Sequence, residues 1–98
     1  MEVKFHNTKN KKLTKLNTLI SKKLQLLNMS YPYVVKADIF YDSHVSYKGI
    51  KKSCEIKLKT SGPEFSVNCF ENNYHKAVEN TLKVLEFQVH NALQFATA

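Results

Sequence analysis

Residues 53–89 read SCEIKLKTSGPEFSVNCFENNYHKAVENTLKVLEFQV, and the spacing of their apolar positions changes once, near Asn72. Cys54, Ile56 and Leu58 alternate with Glu55, Lys57 and Lys59. Phe65, Val67 and Cys69 alternate with Ser66 and Asn68. A period of two marks a strand with one buried face. Thr60-Ser61-Gly62-Pro63-Glu64 between them has the composition of a turn, so the two strands form a hairpin. Pairing Leu58 with Val67 places Ile56 opposite Cys69 and keeps both inward sets on one face. In that register Cys54 and Cys69 are neighbours without being direct partners. From Asn72 to about Phe95 the spacing turns helical. Tyr74, Val78, Leu82, Leu85, Val89 and Leu93 form one stripe, with Asn72 or Asn73 as the cap.

Upstream, the same two periods recur. Val3 and Phe5 alternate with Glu2, Lys4 and His6 as a first strand. Asn7 to Lys12 is polar and lysine-rich, a loop or a frayed helix start. From Thr14, Leu16, Leu19, Ile20, Leu24 and Leu27 make a helical stripe, with Leu13 just before it and Asn10 or Thr14 as cap. Tyr31-Pro32 ends that helix, because a residue preceding proline resists helical geometry. Val35, Ala37, Ile39 and Tyr41 alternate with Lys36, Asp38 and Phe40 as a second strand. Asp42 to Ser53 (DSHVSYKGIKKS) reads as a polar, mobile connection.

The order is strand, helix, three strands, helix. Short links between the last three strands favour antiparallel pairing, with both helices on one face. The expected fold class is α+β: a single βαβββα domain over residues 1–98 with a four-stranded sheet, similar in layout to double-stranded RNA-binding domains. A chain of 98 residues with 43% apolar content fills one core.

Charge is uneven along the chain. All fifteen strong bases are lysine, and the net charge is +7. Residues 1–52 carry eleven lysines and three acids; residues 53–98 carry four lysines and five acids. Such an excess points to a polyanion, nucleic acid before an acidic membrane surface. Lysine lacks the planar fork that reads guanine, which favours backbone and shape recognition over base readout. The candidate nucleic-acid-binding residues are Lys11, Lys12, Lys15, Lys22, Lys23, Lys48, Lys51, Lys52 and Lys83. Phe40, on the outward side of the second strand, is a candidate for base stacking.

Motifs for catalysis or cofactors are missing. His6, His44, His75 and His90 sit in different elements without metal-ligand spacing, and two glycines make no phosphate loop. Cys54 and Cys69 read as small buried hydrophobes. No enzyme, no metal, no cofactor and no small-molecule substrate is expected. The opening MEVKFH alternates and so reads as a strand, not a signal sequence, and no stretch is apolar enough for a membrane span. The expected location is the cytoplasm.

This order, with KLNTLISKKLQLL (15–27) as a basic first helix, resembles the ribosome hibernation-promoting factor and sigma-54 modulation family. The 53–89 stretch resembles the family's V-E-I-x-L-x-x-P-G hairpin and its Y-x-A-I-D-x-x-x-D-K-L-x-x-Q-L helix. The matching helix positions here are His75, Ala77, Val78, Glu79, Leu85, Gln88 and Val89. The resemblance covers about residues 1–95 and implies the short, single-domain form. It implies a factor that docks on the small ribosomal subunit, contacts ribosomal RNA through basic residues of both helices, and stops translation in resting or stressed bacteria. The chain departs from the family on its second helix, where Val84 and Phe87 stand at positions that are Lys and Arg in the family. Either the first helix and the 42–53 segment carry RNA binding, or the partner has changed. Phe87 and Phe95, off the main stripe, are then interface candidates for a protein partner or a homodimer.

Overall fold

The computed structural model describes residues 1–6 and 13–96, without the side chains of 93–96. Its elements are β1 (Glu2–His6), α1 (Thr14–Ser30), β2 (Val34–Ser46), β3 (Gly49–Thr60), β4 (Phe65–Glu71) and α2 (Tyr74–Ala96). They form one four-stranded sheet in the order β1-β2-β3-β4. β2, β3 and β4 pair antiparallel as the short links require. β1 pairs parallel to β2, because α1 serves as the crossover between them.

The period-two sets become the inner face. Ala37, Ile39, Tyr41, Cys54, Ile56, Leu58, Phe65 and Val67 are buried, and Ile20, Leu24, Ala77, Val78, Leu85 and Val89 of the helices join them in one core. Both helices therefore cover the same face. Val3, Phe5, Leu16, Leu19, Leu27, Tyr74 and Leu82 pack around it, partly buried. Thr81 is a fully buried polar residue among them: its hydroxyl donates to the Ala77 carbonyl at 2.7 Å and lies 2.9 Å from the Cys54 carbonyl, seating α2 on β3. Asn73 caps α2, its Oδ1 accepting the Lys76 N–H at 2.9 Å. Leu13, in helical geometry, stands at the N-cap of α1 with no side-chain cap, so Thr14 is the first helical residue. Asn10 lies outside the described residues.

Four expectations need correcting. The β3–β4 register is two residues from the expected one: Leu58 opposes Phe65, Ile56 opposes Val67, and Cys54 opposes Cys69. An even shift keeps every side chain on its face, so apolar pattern alone does not distinguish the two. The cysteines are thus direct cross-strand partners, both as free thiols. At the start of β2, Val34 is buried and Val35 exposed, because the pairing with β3 slips between Val34 and Lys36. The fourth correction is the largest. Residues 42–53 are strand, not connection: β2 and β3 stay paired without a break from Lys36↔Lys59 to Ser46↔Gly49, leaving only Tyr47 and Lys48 in the turn.

β1 reaches only Phe40, and β4 ends opposite Lys52. Beyond them β2 and β3 continue alone as a two-stranded arm, which extends about 13 Å past its last flanked rung at ~3.3 Å per residue.

Candidate nucleic-acid interface

Both helices start beside the base of this arm. β1 runs toward the arm and α1 follows it, so the first turns of α1 lie there; the Tyr41 hydroxyl donates to Asn17 Oδ1 at 2.7 Å. Burial pushes the Tyr41 pKa up, which keeps that hydroxyl a donor. β4 runs the same way and α2 follows. The Tyr74 ring meets Tyr41 edge-on at 5.6 Å, and Lys52 Nζ lies 5.1 Å from the Tyr74 centroid. Lys51 Nζ donates to Asn72 Oδ1 at 3.0 Å. A continuous set of contacts from Asn17 through Tyr41 and Tyr74 to Lys52 therefore ties both helix starts to the arm.

This end holds Lys15 in the first turn of α1, Lys48 and Lys51 on the arm, Lys52 at its last flanked rung, and Lys76 in the first turn of α2. Lys15, Lys48, Lys51 and Lys76 are exposed and Lys52 is half-buried. Among the described residues no ion pair holds any of the five. The nearby acids are engaged elsewhere: Glu71 accepts from Asn80 at 2.6 Å, and Asp42 accepts the Ser43 N–H at 2.8 Å and faces His44. The N-terminal poles of both helices add partial positive charge at the same end. An array of point charges and backbone dipoles of this kind suits phosphate groups.

The expected lysines thus divide. Lys15, Lys48, Lys51 and Lys52 lie toward the same end, Lys48 at the tip of the arm and Lys15 and Lys52 at its base. Lys22 and Lys23 lie further along α1, and Lys83 sits mid-way along α2, all three exposed. Lys11 and Lys12 lie outside the described residues. Lys76 was not singled out by sequence, although its place three residues after the Asn73 cap marks it as first-turn.

Phe40 is a poor stacking platform. His6 of β1 stacks on it at 4.4 Å with the rings 9° from parallel, and Lys57 of β3 lies 5.3 Å from its centroid. The His6 Nε2 in turn is 2.9 Å from Asp38 Oδ1, and this hydrogen bond holds the Asp38 carboxyl below its ordinary range. Phe87 is 66% exposed on α2. The Phe95 side chain lies outside the described residues.

Burial raises the Cys54 thiol to about 12, which suppresses the reactive thiolate. Among the described residues no three His, Cys, Asp or Glu side chains converge to hold a metal ion, and no helix is long and apolar enough to cross a membrane.

The domain is an α+β sheet with both helices on one face and a basic arm at one end. No family model and no curated protein matches the sequence. Among solved structures it is similar to a ribosomal subunit interface protein from Coxiella burnetii, with a TM-score of 0.72 at 17% identity over 95% of this chain and 96% of that one. It is also similar to the N-terminal domain of Thermus thermophilus Protein Y, with a TM-score of 0.67 at 18% identity over 90% of this chain and 91% of that one. The resemblance to the hibernation-promoting factor family therefore holds at the level of the fold.

Proposed function

We propose that this protein is a non-catalytic, ribosome-associated factor of the cytoplasm that binds ribosomal RNA of the small subunit and inhibits translation under stress or in stationary phase. The observation that carries this reading is the convergence of Lys15, Lys48, Lys51, Lys52 and Lys76 with both helix N-termini at one end. The fold shared with a ribosomal subunit interface protein supports it. Binding is by charge and shape, so it is salt-sensitive: about six phosphate contacts lower affinity roughly a thousandfold between 50 and 200 mM salt. Lys22, Lys23 and Lys83 extend the contact along the helices. Co-sedimentation with purified small and large subunits at low and high salt tests it. Binding to the small subunit that fades with salt is expected; no association at low salt contradicts it.

A second reading rests on a different observation. Val84 and Phe87 are exposed on α2, where an RNA-facing helix gains from cations. A homodimer through that helix covers them. Size-exclusion chromatography of the wild type and Phe87→Ser decides: elution of both as monomers across concentration removes the dimer.

A further inference from the structure

We propose that Tyr47, at the tip of the β2–β3 arm, is a stacking platform for an unpaired RNA base, with Lys48 beside the ring holding a flanking phosphate and Lys51, toward the base of the arm, adding charge for the strand that leads away. This rests on the proposed RNA contact and adds to it a preference for single-stranded segments. Tyr47 is 95% exposed, far more than an aromatic ring usually is. The backbone that carries it is held. The ladder beneath it is unbroken, and the turn is tied by Ser46 Oγ, which accepts the Lys48 N–H at 3.2 Å and donates to the Gly49 carbonyl at 3.3 Å. Gly49 closes the turn at φ +121°, which L side chains rarely adopt. A ring carried on a tied turn loses little freedom when a base stacks on it.

Charge selects the occupant. Lys48 Nζ lies 5.7 Å from the Tyr47 centroid, and Lys51 stands three rungs from the turn opposite His44. No acid flanks the turn; the nearest in sequence is Asp42 at the arm's base. Val45 and Ile50 oppose one another beside the turn, 80% and 53% exposed. They widen the apolar surface by one pair only, too little to hold an apolar protein partner that would also have to strip water from two lysines. A base has a π-face for the ring and a flanking phosphate for Lys48. Aromatic rings and cations in alternation are how sequence-tolerant single-strand binding is built.

Two RNAs of equal length, one a stem with an unpaired loop and one fully duplex, separate the contributions. Tyr47→Ser is expected to weaken loop RNA binding roughly five- to hundredfold, the span of one base-stacking contact, and to leave duplex binding unchanged. Lys48→Ala with Lys51→Ala weakens both. The chain contains no tryptophan, so Tyr47→Trp gives a single emission that loop RNA quenches and duplex does not. Equal losses on both RNAs, or no loss with Tyr47→Ser while wild type binds, overturn the stacking role and leave the charge-based contact standing. Failure of wild type to bind either RNA overturns both, as does tight binding to anionic phosphatidylglycerol vesicles with none to RNA.

Discussion

The two ends of this molecule are built from the same elements and differ in nearly everything chemical. At the arm end the helices begin, lysines gather and the strands run on into solvent. At the far end Tyr31 closes α1, its hydroxyl meets His90 Nδ1 at 2.8 Å, and the Ser61 N–H donates to the Tyr33 carbonyl at 3.1 Å. No basic residue sits in the last turn of either helix. An open groove between the helices there is lined by Leu26, Leu27, Met29, Leu82 and Leu85, with Lys23 and Glu86 at its margin. One end therefore joins lysines to two helix N-termini, and the other opens an apolar groove between the helices, with Lys23 at its margin and Lys36 and Lys59 on the sheet at that end.

What joins the ends is the core, and removing part of it breaks both alike. Ile56, fully buried on central β3, is expected to destabilise the domain by about 2–5 kcal/mol on truncation to Ala, read by chemical denaturation. The arm lies outside that core. Gly49→Ala meets no atom within 4 Å, so its effect is backbone strain alone: about 1–2 kcal/mol, appearing as faster amide exchange across residues 43–51 with little elsewhere. Asn73→Ala removes the α2 cap at the basic end for about 1 kcal/mol, seen as a lower denaturation midpoint. The smallest effect is at the sheet's open face. Asp38 has a depressed pKa, so its contribution to stability is complete above its ordinary value of 3.8 and is lost as pH falls through the folded value. Thermal melts of wild type and Asp38→Asn are expected to differ at pH 6 and to converge at acid pH; a constant difference contradicts the role of the His6 hydrogen bond.

The contrast between the ends was only half legible in the sequence. α1, α2 and the inner faces of the strands follow from apolar period, because each buries one side against one core. The arm escaped that logic. Period two is a signature of one-sided burial, and residues 42–51 bury neither side, so Val45, Tyr47 and Ile50 looked like loop residues. Lys48-Gly49 was the available signal for a tight turn. The register error has the same root, since a shift by two residues conserves every face. Counting charge by halves of the chain separates Lys76 from Lys15, which the β1–α1 and β4–α2 links bring to one end. Of the lysines the sequence offers, Lys15, Lys48, Lys51 and Lys52 lie at the arm end, while Tyr47, on a strand-flanked turn that buries neither side, carries no periodic signal.

The central claim is that the arm end, and not the far end, meets the ribosome. Its most direct test compares two variants in ribosome co-sedimentation at fixed low salt: Lys15/Lys48/Lys51/Lys52→Ala at the arm end and Leu26/Met29/Phe87→Ser at the far end. All seven side chains lie outside the buried core. Loss of small-subunit binding in the first, with wild-type binding and a wild-type salt slope in the second, is the predicted result. The reverse pattern contradicts it.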